Sequence, residues 1–225
     1  MNPVLRGSAA HVFVESLTEP QLSDRDDHHL RRVLRIRESD TITVGDGLGG
    51  WVTARLQGDG LLVESEPLFE AAHRPTCVIS AIPKGDRPEW MVQKLTESGA
   101  TSIGFMDCAR SAVRWEPARA HRQIERLRRV AREAAMQSRR LWLPVVLDVV
   151  TFAEAATLTN CAIADVEGNG LSADVDAVLI GPEGGFTKGE LDAVATRVSL
   201  SANVLRVETA ALTAAILLTQ RNRST

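Results

Sequence analysis

The chain has 225 residues and a formal net charge of −3, with 44% hydrophobic and 24% charged residues. These values are typical of a globular protein with enough residues for one large core or two modest ones. The first residues, MNPVLRGSAAHVFVES, lack the charged and apolar regions of a signal peptide. No run approaches the ~18 apolar residues of a membrane helix, so we expect no membrane partner.

The three cysteines, Cys77, Cys108 and Cys161, are far apart and lie in apolar contexts. They are typical of small buried side chains in a reducing compartment, and they form neither a disulfide framework nor a metal motif. The five histidines are not spaced as metal ligands either. We therefore expect a cytoplasmic protein without a metal.

Basic charge is concentrated in two segments despite the negative total. Eight arginines and two glutamates lie between Arg119 and Arg140, and five arginines and two aspartates lie between Arg25 and Arg37. Such local concentration is expected of a protein that binds a polyanion. A solvated helix face explains the arginine-rich helix equally well.

Residues 1–70 predict a β-rich module. Short strands are expected at 11–14, 41–44, 51–56 and 61–64, with a helical turn between 24 and 36. The glycine run 45–50 lacks the Lys-Ser/Thr ending of a phosphate loop and precedes a strand, so it predicts a hairpin turn. Short strands joined by tight turns favour a small barrel. His28 and His29 are more typical of phosphate contact or packing than of catalysis.

Beyond a linker at 71–75, strand and helix signals alternate, which favours an α/β layer with a parallel sheet. A helix is expected from Pro88 to Ser98, with Gly99 as its C-terminal cap. Pro117 begins a long helix that has an apolar stripe and outward-facing arginines. Further strands are expected at 76–82, 102–107, 143–149, 161–166 and 176–180.

The stretch 179–218 organises the second half of the chain. A buried strand ends at Ile180, and the loop Gly181–Gly185 follows, with three glycines and a proline that suit close backbone approach. Thr187 and Glu190 predict a capping box. An extended piece is expected at 204–206, followed by a buried helix from Glu208. Two strand–loop–helix units of this kind suit a ligand that carries a carboxylate or many polar edges.

Five motifs resemble, in order, the RsmE family of ribosomal RNA methyltransferases, which belongs to the SPOUT superfamily. They are KGDRPEWMVQKLTESGA (84–100), RSAVRW (110–115), EAAMQSRR (133–140), IGPEGGF (180–186) and VLRVETAAL (204–212). HHLRRVLRIRESDTITVGDG is similar to the N-terminal PUA-like domain of the family. Two segments depart from the pattern. At 200–203 the family has a glycine, and Asn203 is the residue here that tolerates a positive φ. The segment 165–168 also matches poorly.

The resemblance implies an α/β protein with a PUA-like β-barrel at 1–70 and a SPOUT domain with a C-terminal trefoil knot at 75–225. It implies S-adenosylmethionine as cofactor, small-subunit (16S) ribosomal RNA or the assembled small subunit as partner, N3-methyluridine as product, and a homodimer. The cofactor-binding residues that it implies are Ile180, Gly181, Gly184, Gly185, Leu200, Ser201, Leu205, Arg206, Thr209 and Ala210.

Uridine N3 carries a proton at neutral pH, so the reaction needs a base or a group that stabilises the anion. Arg139 and Arg206 are the candidate cations. Glu208 is either the base or a helix cap. The residues expected to bind RNA are Arg32, Arg35, Lys84, Arg87, Lys94, Arg110 and Arg114.

Two other functions stay open, namely a related knotted methylase that acts on tRNA and a non-catalytic RNA-binding assembly protein. A Rossmann dehydrogenase is excluded, because no GxGxxG follows an early strand.

Overall fold

A computed structural model describes residues 2–221. The chain divides into two compact units. Unit 1 comprises residues 2–72 and 135–143, and unit 2 comprises 73–134 and 144–221. The segment 135–143, which the sequence analysis included in the second domain, belongs to unit 1 because Leu141 packs there with Leu5 and Trp51.

Unit 1 is built around a five-stranded sheet. Its elements are α1 (Pro3–Gly7), β1 (His11–Phe13), α2 (Asp24–His28) with a π-helical turn (His29–Val33), β2 (Ile42–Gly45), β3 (Gly50–Gln57), β4 (Gly60–Val63) and β5 (Leu68–Phe69). The strand order is β1-β2-β3-β4, with β5 beside β3. The β1–β2 pair is parallel and the other pairs are antiparallel, so the sheet is mixed.

The glycine run between β2 and β3 forms a hairpin turn, as predicted. The Asp46 carboxylate accepts hydrogen bonds from the backbone N–H of Leu48 (2.7 Å) and of Gly50 (2.9 Å). Gly49 has φ +95°, and a Cβ there would lie 2.6 Å from the Trp142 ring. Conformation and close packing therefore both require glycine at this position.

Unit 2 is an α/β layer. Its elements are β6 (Cys77–Ala81), α3 (Arg87–Ser98), β7 (Ser102–Asp107), α4 (Pro117–Gln137, whose last three residues belong to unit 1), β8 (Val145–Val146), β9 (Val150–Thr151), α5 (Phe152–Ala155), β10 (Cys161–Asn169), β11 (Ala177–Ile180), α6 (Lys188–Ala193), β12 (Thr196–Val198) and α7 (Val207–Arg221). The strand order is β12-β10-β11-β6-β7-β8, with β9 beside β7. Every pair is parallel, as predicted.

Alternating strand residues of this sheet enter two different cores. Val78, Phe105 and Val178 point to one face, where they pack with α3, α4 and α7. Ile79 and Leu179 point to the other face, where they pack with α5 and α6. Because successive side chains of a strand face opposite ways, a sheet covered on both sides buries continuous apolar runs.

Local signals predicted several helix ends correctly. Pro88 lies in the first turn of α3, and Gly99 caps that helix with φ +104°. Thr187 and Glu190 form the predicted capping box of α6. The extended piece expected at 204–206 is wrong as a strand, because those residues pair with no neighbour and lead directly into α7. The strand of this region is β12, which the sequence did not indicate.

Within residues 2–221, no helix is long and apolar enough to cross a membrane, and no cluster of His, Cys, Asp and Glu side chains is placed to hold a metal. The three cysteines are unbonded. Burial raises the pKa of the Cys77 and Cys108 thiols to about 12, so both stay protonated at neutral pH.

Candidate functional site

A cavity of about 520 Å³ opens at the carboxyl edge of the parallel sheet of unit 2. Three segments form it: the loop after β11, the irregular part of β10, and the connection from β12 to α7. The residues on its wall are Ala164, Asp165, Val166, Ile180, Gly181, Pro182, Glu183, Gly185, Phe186, Leu191, Val198, Ser199, Leu200, Ser201, Asn203, Val204, Leu205, Arg206, Val207 and Ala210. Its volume and its place at this edge are those of a small-molecule site in an open α/β sheet.

The glycine loop after β11 is held from outside the cavity. Arg110 donates hydrogen bonds from Nη1 to the carbonyls of Gly184 (3.1 Å) and Phe186 (3.3 Å). Gly185 has φ +68°, which favours glycine, and open space surrounds its Cα. A Cβ on Gly181 would lie 2.9 Å from the Phe186 ring, so that glycine lets the ring fold back over the loop.

Glu190 joins the end of this loop to the loop after β7. One carboxylate oxygen accepts from the Thr187 backbone N–H (2.7 Å) and hydroxyl, and the other accepts from the Ala109 N–H (2.8 Å). Burial alone would raise the pKa of Glu190, but these hydrogen bonds and the Arg110 charge outweigh burial and lower it. Glu190 is therefore a buried carboxylate that is fully used in structure.

The segment 200–203, where the resemblance led us to expect a glycine, contains a side-chain hydrogen bond. The Ser201 hydroxyl accepts a hydrogen bond from the Asn203 N–H (3.1 Å). In residues 2–221, positive φ at non-glycine residues occurs only at Arg35, Arg139 and Asn160. Asn203 therefore does not use the left-handed conformation that the sequence suggested, and a serine-stabilised turn takes the place of glycine.

One of the three segments is an irregular part of β10, to which the sequence analysis gave no role. The pairing of β10 with β12 shifts register between Ala164 and Asn169. This bulge brings Asp165 and Val166 onto the cavity wall. The Asp165 carboxylate lies 3.5 Å from the Arg197 guanidinium. A Cβ on Gly168 would lie 2.5 Å from the Val198 backbone, so two main chains meet there at a distance that only glycine permits.

Most of the residues expected to bind the cofactor lie on this wall. They are Ile180, Gly181, Gly185, Leu200, Ser201, Leu205, Arg206 and Ala210. Gly184 and Thr209 lie beside it and are not among the described residues that line it. The sequence analysis missed Asp165, Val166 and Phe186. The glycine at 168 was the available signal for the bulge.

The three candidate catalytic residues occupy different environments. Arg206 is exposed and lines the cavity. Glu208 lies in the first turn of α7, where Oε1 is 3.6 Å from the Arg87 guanidinium. Oε2 of Glu208 is buried without a hydrogen-bond partner among the described residues. Its carboxylate therefore has one oxygen available, and among the described residues no backbone N–H of the helix donates a hydrogen bond to it.

Arg139 lies in unit 1 and is bound by main-chain carbonyls. It has φ +57° and follows the end of α4, where Arg140 N–H bonds the Ala135 carbonyl (2.9 Å) and Arg139 N–H bonds that of Met136 (3.3 Å). This is a Schellman motif with arginine where glycine is usual. The guanidinium donates to the carbonyls of Met136 (3.1 Å), Ser8 (3.2 Å) and Ala9 (3.3 Å). Burial lowers its pKa.

The residues expected to bind RNA are only partly free. Arg32, Arg35 and Lys84 are exposed and have no side-chain partner in the described part of the chain. Lys94 pairs with Glu97 (2.7 Å), Arg87 faces Glu208, and Arg114 donates to the Cys108 carbonyl (2.9 Å). Together with Arg110, these side chains contribute to the structure of unit 2.

Comparison with known proteins identifies the family. A model described as an RNA methyltransferase domain matches residues 70–219, and one described as an RNA methyltransferase PUA domain matches residues 22–64. The chain belongs to the RNA methyltransferase family. Within the family it resembles proteins named ribosomal RNA small subunit methyltransferase E. The Bacillus subtilis protein is 29% identical over 88% of this chain and 89% of its own length. That of Synechocystis is 31% identical over 87% of this chain and 69% of its own length.

Solved structures of the methyltransferase family agree with this assignment. The ribosomal RNA small subunit methyltransferase E of Neisseria gonorrhoeae, bound to S-adenosyl methionine, is 27% identical, with a TM-score of 0.77 over 94% of this chain and 97% of that one. A probable rRNA-methyltransferase from Porphyromonas gingivalis is 27% identical, with a TM-score of 0.78 over 96% and 99%.

Proposed function

We propose that this protein transfers a methyl group from S-adenosylmethionine to N3 of a uridine in small-subunit (16S) ribosomal RNA. The observation that carries the proposal is the cavity at the carboxyl edge of β10 and β11, built from the segments that match the IGPEGGF and VLRVETAAL motifs. The family membership and the relatives' names support the reaction. Because ribosomal RNA is made and used in the cytoplasm, we infer a cytoplasmic enzyme.

The cavity has the chemistry that this cofactor needs. Its wall combines apolar side chains with main-chain groups of two loops. The apolar side chains suit an adenine ring, and the main-chain groups suit the polar groups of the cofactor. We propose that the segments 180–185 and 200–210 hold the cofactor, through the ten residues that the sequence singled out. The bound cofactor supplies a methyl group on a sulfonium, which is already a good leaving group. The protein therefore has mainly to position the acceptor in line with that methyl group.

The chain's own residues would prepare the uridine. N3 lies on the pairing edge of the base, so the base must leave its stack to react. We propose that Arg206, which is exposed on the cavity wall, stabilises the uracil anion. Glu208, with one oxygen unbonded, is the candidate base. Arg139 is the alternative cation, although its guanidinium already serves three carbonyls.

Three finer features belong to the same proposal: a trefoil knot in unit 2, a closed barrel in unit 1, and a homodimer. Val166 and Val204 on the cavity wall are 66% and 88% exposed, and such side chains suit a contact with a second copy of the chain. Sedimentation at several concentrations tests the dimer.

We also propose that seven cations contact phosphate. Arg32, Arg35 and Lys84 have no side-chain partner among the described residues to give up, and Arg87, Lys94, Arg110 and Arg114 would exchange their present contacts for phosphate. The experiment for the central proposal pairs calorimetric binding of S-adenosylmethionine with transfer of a labelled methyl group to unmodified small subunits, to naked 16S RNA and to tRNA. Transfer to tRNA alone would replace the substrate in the proposal. If the protein neither binds the cofactor nor transfers the labelled methyl group, the hypothesis of a non-catalytic RNA-binding protein would replace the proposal.

A further inference from the structure

We infer that one face of α4 is a binding surface for a phosphodiester strand of RNA, formed by the α4 arginine stripe, which consists of Arg119, Arg122, Arg126 and Arg129. The inference rests on the proposed function, since it names a surface that would hold the proposed substrate. No motif match contributes to it. The family motifs of the region, RSAVRW and EAAMQSRR, lie on either side of the stripe.

The stripe is a geometric feature of the helix. Its members are three or four residues apart, so they lie along one face. The buried face of the same helix is made by Ile124, Leu127 and Ala131, which are at most 2% exposed. At 100° per residue, the centre of the arginine stripe lies nearly opposite to that buried face. The stripe extends about 15 Å along the helix, from the rise of about 1.5 Å per residue.

Most of the stripe has no internal partner. The guanidinium groups of Arg119, Arg122 and Arg129 make no hydrogen bond or ion pair within the described residues. Arg126 pairs with Glu89 at 2.9 Å. The neighbouring Arg128, which lies off the stripe, forms ion pairs with Glu125 and Asp148. Glu89, Glu125 and Asp148 are therefore already paired, and three of the four stripe arginines have no carboxylate partner within the described residues.

This placement does not serve the helix itself. Like charges three or four residues apart repel each other, whereas a stable surface helix alternates their sign. Arg119 lies in the first turn of α4, where the helix dipole disfavours a cation, and that turn contains no acidic residue. A row of mutually repelling cations is stabilised when a polyanion lies along it.

The side-chain chemistry points to phosphate. From Pro117 to Arg140 every cation except His121 is arginine and none is lysine. Guanidinium binds phosphate oxygens in a planar, bidentate way that an ammonium group does not reproduce. An anionic membrane surface is a poorer occupant, because membrane-binding helices add exposed apolar side chains and α4, which is described in full, exposes no large hydrophobic residue.

The test compares two variants that lose the same charge. One carries Arg119→Gln, Arg122→Gln and Arg129→Gln, and the matched control carries Arg6→Gln, Arg55→Gln and Lys188→Gln, which are exposed positions off the stripe. Binding of a fluorescein-labelled fragment of 16S ribosomal RNA is measured by anisotropy between 50 and 200 mM salt (roughly the range over which phosphate contacts change affinity most visibly). Circular dichroism and the affinity for S-adenosylmethionine check that each variant is folded.

We expect the stripe variant to bind RNA on the order of 100-fold more weakly at 0.1 M salt, with a log–log salt slope shallower by about 2, since each phosphate contact on a single strand contributes about 0.7. The KM for RNA rises while kcat and cofactor affinity stay unchanged, and the control binds as the wild type does. If the triple variant does not fold, each single Arg→Gln change should make the slope shallower by about 0.7.

Equal losses in the stripe variant and the control, or no loss in the stripe variant, would overturn the inference. So would stripe-dependent binding of phosphatidylserine vesicles with unchanged RNA binding. A wild-type protein that binds RNA through the stripe but transfers no methyl group would support the surface and refute only the proposed function. If the wild type transfers methyl groups and the stripe variant has the same KM for RNA, the proposed function would be supported and the stripe surface refuted.

Discussion

Arg110 and Gly184 are joined by a hydrogen bond of 3.1 Å from the guanidinium to the backbone carbonyl. The same nitrogen also serves the Phe186 carbonyl, so one exposed side chain fixes both halves of the glycine loop. Glu190 holds the neighbouring end of that loop to Ala109. The cavity wall formed by the loop is therefore set by side chains that lie outside it, and this arrangement is a form of preorganisation.

Removal of Arg110 should weaken cofactor binding without unfolding the protein. The Arg110→Ala change deletes two charge-assisted hydrogen bonds at an exposed site, so we expect S-adenosylmethionine affinity to fall roughly 5- to 10-fold, corresponding to about 1–1.4 kcal/mol. Calorimetric titration measures this change. Arg37→Ala is the control, because Arg37 is exposed on unit 1. An unchanged affinity would mean that the loop keeps its shape unaided.

Glu190 should make stability depend on acid pH. Its pKa is lowered in the folded state because hydrogen bonds and the Arg110 charge outweigh its burial, so its contribution is full above the ordinary value of 4.5 and is lost as the pH falls below it. Glutamine has nearly the same shape, but its amide N–H group would face one of the backbone N–H groups that the carboxylate now accepts from, those of Thr187 and Ala109. We expect Glu190→Gln to cost about 1–3 kcal/mol at pH 7. The difference from the wild type should shrink as the pH falls below 4.5, as followed by urea unfolding. A constant difference would contradict the assignment.

Arg139 offers a test of structural against catalytic roles. Its left-handed backbone costs an arginine about 1 kcal/mol, and its three hydrogen bonds offset that cost. Arg139→Ala loses the bonds and keeps the strain, while Arg139→Gly loses the bonds and removes the strain. We therefore expect Arg139→Gly to be the more stable variant by about 1 kcal/mol in denaturant unfolding. A catalytic role predicts instead that both variants unfold as the wild type does and lose turnover equally.

Variants of Glu208 and Arg87 distinguish a role of Glu208 as catalytic base from a role in its ion pair with Arg87. If Glu208 takes the N3 proton, Glu208→Gln should lower kcat by roughly 10²- to 10⁴-fold and leave cofactor affinity unchanged. Arg87→Gln removes the same ion pair and should spare most of kcat. Single-turnover kinetics of both variants and of the double variant measure the coupling. Equal losses in the two single variants would assign Glu208 to the ion pair alone.

The sequence predicted what local chemistry determines. Pro88, Gly99 and the Thr187–Glu190 box mark helix ends through their own backbone preferences and hydrogen bonds, and the structure confirms all three. Short continuous apolar runs indicated most strands of the parallel sheet, again from the local sequence. Each of these features depends on residues within a few positions of one another.

The features that the sequence did not predict depend on distant partners. β12 is three residues long and exists only because β10 lies beside it, and the bulge that places Asp165 on the cavity wall comes from the approach of Gly168 to Val198. Two of the three carbonyls bound by the Arg139 guanidinium, those of Ser8 and Ala9, are 131 and 130 positions away in the chain. No periodicity or spacing near Arg139 carries that information.

The central claim is methylation of uridine N3, and one product measurement tests it most directly. Small ribosomal subunits that lack the modification are incubated with the protein and labelled S-adenosylmethionine, and the digested RNA is analysed by nucleoside mass spectrometry. We expect labelled 3-methyluridine, and we expect its amount to be strongly reduced in the Glu208→Gln and Arg206→Ala variants. Label in a different nucleoside, or none in subunits and naked 16S RNA although the cofactor binds, would contradict it.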